Sequence, residues 1–316
     1  MPYGEIMRIA ILDDYQDVAL TFGDWDSLKA DITVFTEPLT DVVGQLQGFD
    51  VIVAMRERTR FPAEVLDRLP DLKLLVSTGP RNAAIDVPAA KRNGVVVSRT
   101  GYLGEPTAEH TWALILAASR NLPQEFRSMR EGGWQTTVGT MLHGKTLGLL
   151  GLGRLGAGAA KIGQAFGMET IAWSQNLTPE KAAPHGVTAV AKDELFARSD
   201  VLSIHLVLSG RTRGLVGAAE LAAMKPSALL VNTSRGPIVD ESALVDALRR
   251  KEIRAAALDV YDVEPFPADH PLRTMDNAVL TPHLGFVARE TYEIFYGDAV
   301  EDIAAFQAGE PIRLME

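Results

Sequence analysis

Thr146-Leu147-Gly148-Leu149-Leu150-Gly151-Leu152-Gly153-Arg154-Leu155-Gly156 is the stretch whose reading decides the fold. An apolar run ends at Leu150, three glycines follow at the G-x-G-x-x-G spacing, and an alanine-rich helical pattern runs from 157 to 166. Glycines so spaced between a strand and a helix predict a dinucleotide-binding turn. Gly151 lets the chain turn tightly, Gly153 lets a pyrophosphate approach the backbone, and Gly156 lets helix and strand pack closely. The helix N-terminus then offers N–H groups and positive dipole to the phosphates. Taken alone, the triplet also fits an ordinary glycine turn in an α/β protein, so the flanking sequence must carry the rest.

At 316 residues the chain is long enough for about two domains with sizeable cores. Its 47% hydrophobic and 23% charged residues are those of a globular protein. A formal net charge of -10 argues against non-specific binding to nucleic acid or to an anionic membrane. A site for an anionic substrate must then supply its own cations. The absence of cysteine removes disulfides, zinc thiolate sites and thiol nucleophiles, and no metal site is expected. Residues 1–5 lack a signal-peptide pattern, and the apolar run 112–118 is far too short to cross a bilayer. A cytoplasmic protein without nucleic-acid or membrane partners is expected.

Upstream of the glycine stretch, short β-rich runs at 8–12, 32–35, 51–54, 72–77 and 95–97 alternate with helical patterns such as 62–68, where Pro62 suits the first turn. Such alternation predicts a parallel sheet covered on both faces. Two loops here follow strand ends, where open α/β sheets place ligands: residues 55–59, with Arg56 and Arg58, and residues 77–82, with Gly79 and Arg81. Gly79 permits close backbone approach and an anion nest. The arginines read equally as anion ligands or as solvated surface charges. Around Gly101 and Gly104 the chain reads as a hinge, followed by a long helix over 107–120 and a polar, irregular arm or interface segment over 125–141. Downstream, strands are expected at 170–173, 201–205, 228–232, 255–258 and 278–281. Helices are expected at 194–198, 218–224, 241–251, with Asp240 as N-cap, and 288–307.

An NAD site of this kind places an acidic residue ~20 positions beyond the glycines, on the ribose 2′-hydroxyl. Here that strand ends Trp173-Ser174-Gln175-Asn176, with neither Asp nor Glu. Ser174 and Asn176 would tolerate a 2′-phosphate, which favours NADP over NAD, and Lys181 is the nearest basic residue.

Three strand ends present groups with chemistry: Arg235 after 228–232, Glu264 after 255–258 and His283 after 278–281. Reducing a carbonyl needs a proton at oxygen as hydride reaches carbon, and a histidine suits that task near neutral pH. A carboxylate beside it fixes its orientation, and an arginine can hold an α-carboxylate bidentately. Each residue singly has an ordinary structural explanation; jointly, downstream of a nucleotide fingerprint, they point to hydride transfer.

G-L-G-R-L-G at 151–156, V-N-T-S-R-G-P-I-V-D at 231–240, A-L-D-V-Y-D-V-E-P at 257–265 and L-T-P-H-L-G at 280–285 resemble, in this order and spacing, the D-isomer-specific 2-hydroxyacid dehydrogenase family. The resemblance covers nearly the whole chain. It implies an α/β protein of two doubly wound parallel-sheet domains. A flavodoxin-like substrate domain, residues 1–100 and 290–316, would carry an inserted Rossmann cofactor domain, residues 101–289, with the site in the cleft and a homodimer built through the cofactor domains. It also implies a small 2-oxo or 2-hydroxy acid as substrate, of the glyoxylate or hydroxypyruvate kind.

Carried over residue by residue, the resemblance implies a catalytic trio of Arg235, Glu264 and His283. Arg154 and Leu155 would meet the pyrophosphate through their N–H groups, His205 and Val207 would lie beside the adenosine, and Thr107, Thr233, Asp259 and Gly285 near the cofactor, Asp259 accepting from the carboxamide. Gly79 would belong to the loop whose amides hold the substrate carboxylate, and Arg56 aligns with a phosphate-binding arginine of phosphoglycerate members. The chain departs from the pattern at Ser174, where Asp is usual, at Leu208, where proline is common, and at Arg81, where a small or apolar residue is usual. Nothing follows Glu316 in the sequence, which reads against the feedback-controlled phosphoglycerate type. The alternative reading is a nucleotide-sensing, corepressor-like binding protein on the same fold.

Overall fold

The computed structural model describes residues 6–316; residues 1–5, on which the signal-peptide reading falls, lie outside the described residues. The chain forms two compact units, one of residues up to Leu103 together with Ala288–Glu316, the other Gly104–Val287.

The first unit is built on β1 (Arg8–Ile11), β2 (Asp31–Val34), β3 (Val51–Ala54), β4 (Leu74–Ser77) and β5 (Val96–Arg99), all parallel and ordered β2-β1-β3-β4-β5. The apolar runs of β3 and β4 are buried on both faces because helices cover the sheet on either side, whereas Asp31 and Thr33 of edge strand β2 reach solvent. The order reverses between β1 and β3, so the loops after these strands flank the topological switch point. Asp41 and Asp86 start two of the helices, accepting from Gly44 N and Ala89 N. The helix expected over 62–68 is shorter, Ala63–Leu66, and Pro62 is its N-cap rather than part of its first turn.

The second unit carries β6 (Thr146–Leu150), β7 (Glu169–Trp173), β8 (Thr188–Ala189), β9 (Val201–Ile204), β10 (Leu229–Asn232), β11 (Ala255–Leu258) and β12 (Ala278–Leu280). All are parallel, in the order β12-β11-β10-β9-β6-β7-β8. This is a doubly wound sheet whose order reverses at β6 and β9. Successive residues supply opposite faces: Leu229, Val231, Ala255 and Ala257 enter one apolar layer, and Leu230, Ala256 and Leu258 the other. In the first of these layers Trp112 is buried, stacks on Phe166 at 5.0 Å and donates its indole N–H to the Ala159 carbonyl.

Two elements differ from expectation. The stretch read as irregular from 125 begins as a helix, Leu122–Arg130, and only the residues after it lack regular structure. Asn121 at φ 51° follows the preceding helix, Glu105–Ser119, and Pro123 lies in the first turn of the next one. The two-residue β8, at the sheet edge, is too short to leave a periodic signal in sequence.

Candidate active site

Each glycine of the fingerprint has a distinct physical reason. Gly151 stands at φ 105°, and a Cβ there would lie 2.7 Å from the His205 carbonyl oxygen, so the turn excludes any side chain. A Cβ on Gly156 would collide with the Gly151 carbonyl, which sets the closeness of helix to strand. Gly153 is different: among the described residues, a Cβ there would meet nothing within 4 Å. It is the N-cap of the helix Arg154–Ala165, which has no side-chain cap hydrogen bond. An open approach to an uncapped helix start fits a pyrophosphate, and the residues present therefore fit a bound dinucleotide.

Around that turn the β-strand ends contribute further groups. Ser174 follows β7, and its carbonyl accepts from Leu177 N at 3.0 Å. Lys181 Nζ donates to the Asn176 carbonyl at 3.2 Å, which brings an ammonium to the same turn. His205 hydrogen-bonds Ser203 Oγ through Nε2 at 2.9 Å, and burial pushes its imidazole down to about 4, so it is neutral at physiological pH. Val207 is 81% exposed, an apolar side chain left uncovered at the ligand edge of the sheet. Thr233 is buried against Thr111, hydroxyl to hydroxyl at 2.7 Å, and Thr107 is buried one helical turn before Thr111.

Arg235, Glu264 and His283 emerge from the carboxyl ends of β10, β11 and β12, three adjacent parallel strands. His283 Nδ1 donates to Glu264 Oε2 at 2.5 Å, which leaves Nε2 as the nitrogen that can exchange a proton with a ligand. The second oxygen of Glu264 accepts from Tyr261 N at 2.9 Å. Tyr261 in turn presses its backbone against Gly236, where a Cβ would overlap the Tyr261 carbonyl. The loop of Arg235 and the loop of Glu264 are thus seated on each other. Arg235 is half-buried, its Nη1 on the Ser234 carbonyl at 2.8 Å.

Asp259 is wholly buried, and its bonds are to the fold itself. Its Oδ1 accepts from Thr281 Oγ1 at 2.6 Å, Leu284 N at 2.8 Å and His110 Nε2 at 3.2 Å; its Oδ2 accepts from Gly285 N at 2.8 Å. Burial alone would push this carboxyl up, but the bonds from His110 and Thr281 outweigh it and hold the group below the usual carboxylate range. The magnitudes agree: a hydrogen bond to a charged group contributes ~1.5–3 kcal/mol, and several together exceed the several kcal/mol that burying one carboxylate costs. Besides the carboxamide contact that the resemblance implies, the described contacts make Asp259 the anchor of the loop that carries His283. Gly285 lies against Asp259 and Thr107, where a Cβ would meet Asp259 Oδ2 at 3.1 Å.

In the first unit, Arg56 stands at φ 54° at the end of β3 and donates its backbone N–H to Thr78 Oγ1 at 2.9 Å. Its guanidinium lies over the Tyr102 ring and fills the space where Gly79 would carry a side chain. Gly79 has φ 86°, and its N–H is already given to Thr100 Oγ1 at 2.7 Å, so an anion nest here would use other amides. Arg58 donates to the Asp13 carbonyl at 2.9 Å, and Arg81 is exposed.

A doubly wound sheet with this glycine turn is a dinucleotide-binding architecture, and the strand-end His–Glu pair adds a proton-transfer group to it. Residues 112–285 match the family model of the NAD binding domain of D-isomer specific 2-hydroxyacid dehydrogenases. A glyoxylate reductase of Aeropyrum pernix is 38% identical over 312 residues, 96% of this chain and 90% of that protein. A D-3-phosphoglycerate dehydrogenase of Archaeoglobus fulgidus is 36% identical over 97% of this chain, which spans 58% of that relative's length; further phosphoglycerate dehydrogenases are matched over about half of theirs. A phosphoglycerate oxidoreductase of Vibrio cholerae superposes with a TM-score of 0.92 at 40% identity, covering 96% of this chain and 100% of that one. The chain belongs to the D-isomer specific 2-hydroxyacid dehydrogenase family. It is an oxidoreductase with a nicotinamide cofactor acting on CH–OH donors, and the comparisons offer the corepressor alternative no support.

Sequence reasoning passed over His110, Thr281, Tyr261 and Gly236. Only Gly236 had a local signal, a glycine beside Arg235 at a strand end. The others act through contacts that no local pattern encodes.

Proposed function

We propose that this chain reduces a small 2-oxo acid of the glyoxylate or hydroxypyruvate kind to the D-2-hydroxy acid, using NADP(H) in preference to NAD(H). The observation that carries the reading is the His283–Glu264 pair, at 2.5 Å, beside Arg235 at adjacent strand ends of the nucleotide-binding sheet. When bound, the nicotinamide supplies the hydride. His283 Nε2 delivers the proton to the substrate oxygen, Glu264 orients the ring and offsets its positive charge, and Arg235 binds the substrate carboxylate. Arg154 and Leu155 hold the pyrophosphate, and His205, Val207, Thr107, Thr233, Asp259 and Gly285 line the rest of the cofactor. In the first unit, the substrate domain in this reading, Gly79, Arg56 and Arg81 contribute substrate binding.

The NADP preference rests on Ser174 in place of a carboxylate, with the Lys181 ammonium on the same turn. The glyoxylate reductase relative, aligned over nearly its whole length, supports the substrate class. We take the protein to be a cytoplasmic homodimer. Steady-state assays with glyoxylate, hydroxypyruvate and phenylpyruvate against both cofactors test the proposal. Turnover is expected with the first two, at a higher kcat/KM for NADPH. Ser174→Asp is expected to shift the ratio of the two kcat/KM values toward NADH by ~10-fold or more, since the new carboxylate repels a 2′-phosphate. Flat rates with every oxoacid and both cofactors would refute the activity, and an unmoved ratio in Ser174→Asp the cofactor assignment.

A further inference from the structure

We propose that His110 is a positioning residue for His283, acting through Asp259 and Thr281 without touching the reacting atoms. The proposal rests on the reading of His283 as the proton donor. His110 lies in the helix Glu105–Ser119, 149 residues before Asp259 in the chain. Its Nε2 is 3.2 Å from Asp259 Oδ1 and 3.0 Å from Thr281 Oγ1.

The network dictates which nitrogen bears the proton. Thr281 Oγ1 spends its single hydrogen on Asp259 Oδ1 at 2.6 Å, so it faces His110 as an acceptor. Asp259 is an acceptor as well. Nε2 must therefore carry the hydrogen and share it between the two oxygens. One N–H from the helix thus fixes the carboxylate and the hydroxyl together.

That junction holds the loop on both sides of His283. Thr281 precedes it by two residues, and His283 N donates to the Thr281 carbonyl at 3.1 Å. Leu284 N and Gly285 N, just after it, bond the same carboxylate. Between these anchors His283 sits at φ 55°, a left-handed conformation that a non-glycine residue keeps only when its surroundings enforce it. The neighbouring bonds are the enforcement, and His110 orients the oxygen on which most of them converge. Errors of ~1 Å in a reacting group cost ~100-fold in rate, so a side chain that sets the loop sets the chemistry.

The test compares His110→Leu, which removes the donor, with His110→Gln, whose amide nitrogen reaches to a similar distance. Two quantities are read: kcat and KM in the whole enzyme, and amide hydrogen exchange of the 281–286 segment in cofactor-free protein. His110→Leu is expected to lower kcat by ~10-fold or more with KM for oxoacid and cofactor within about threefold, and to speed exchange in 281–286. His110→Gln is expected to restore both readouts. Thr281→Val, which leaves the helix untouched, moves both in the same direction and carries the test if His110→Leu does not fold. Parent-like kcat and exchange in His110→Leu, or in Thr281→Val, overturn the proposal. So does a His110→Gln variant as impaired as His110→Leu, because bulk rather than the donor would then matter. Normal turnover in His283→Ala would instead remove the reading on which the proposal rests.

Discussion

At the scale of single residues, the imidazole of His283 is the group on which the assigned chemistry turns. Its Nδ1 is committed to Glu264, so only Nε2 can serve an incoming oxygen. His283→Ala is expected to cut kcat by ~100-fold or more while cofactor affinity, measured by fluorescence titration, stays near the parent value. A variant turning over at a near-parent rate would assign the proton to another group. The pairing of His283 with Glu264 was legible because both lie just past strand ends in recognisable motifs. The resemblance singles out Asp259, but nothing in the sequence marks it as the anchor of the His283 loop. That role depends on His110, which reads as one more polar position on a helix until the sheet brings it to β11 and β12.

At the scale of elements, two features make predictions. Gly236 lies where the loop after β10 meets the backbone at Tyr261, so Gly236→Ala forces the two loops apart. The expected result is a destabilisation of ~1–3 kcal/mol in thermal or urea unfolding, with a fall in kcat because Glu264 moves with Tyr261. Parent-like stability and turnover in that variant would mean the loops can part without consequence. The second feature is the helix Arg289–Gln307, where Asp302 is wholly buried, Oδ1 bonded to Arg313 Nε at 2.9 Å and Oδ2 without a hydrogen-bond partner among the described residues. Burial pushes its carboxyl from 3.8 up to about 7, against the pull of Arg313. A carboxyl raised on folding is protonated more readily in the native state. Its contribution is therefore full below the unfolded value and is lost as pH rises through about 7. Asp302→Asn should flatten the loss of stability between mildly acidic and mildly alkaline pH by on the order of 1 kcal/mol or more, read from urea midpoints. Parallel pH curves for parent and variant would show that the carboxyl does not titrate in this range. Gly236 stands beside Arg235 at a strand end, but its conflict with Tyr261 arises only when two distant loops meet, and Asp302 reads as one acid among several on its helix.

At the scale of the whole molecule, the architecture was legible well before its details. Buried β-runs alternating with helical patterns give two parallel sheets, and a late glycine fingerprint requires the nucleotide-binding sheet to begin at β6. Edge elements and the 122–130 helix were not, because a short strand and a helix opened by proline leave weak periodic signals. That helix and the segment after it bear on assembly. Phe126, Met129, Trp134, Val138 and Met141 are all exposed there, an apolar concentration that a lone subunit would not ordinarily leave to solvent. A homodimer joined through this segment is expected in sedimentation velocity, and Val138→Glu with Met141→Glu should give monomers at micromolar concentration. A parent protein that is monomeric, or a double variant still dimeric, would place the interface elsewhere or remove it.

The indoles are placed so that one optical measurement can separate these scales. Trp25 and Trp112 are each 4% exposed, one in either unit, and are shielded from water. Trp134 is 73% exposed on the apolar segment and open to collisional quenchers, so self-association would shield it. Trp173 immediately precedes Ser174, which makes it the natural reporter of nucleotide arrival. Single replacements by phenylalanine would turn the intrinsic fluorescence of this enzyme into separate channels for unfolding, assembly and cofactor occupancy.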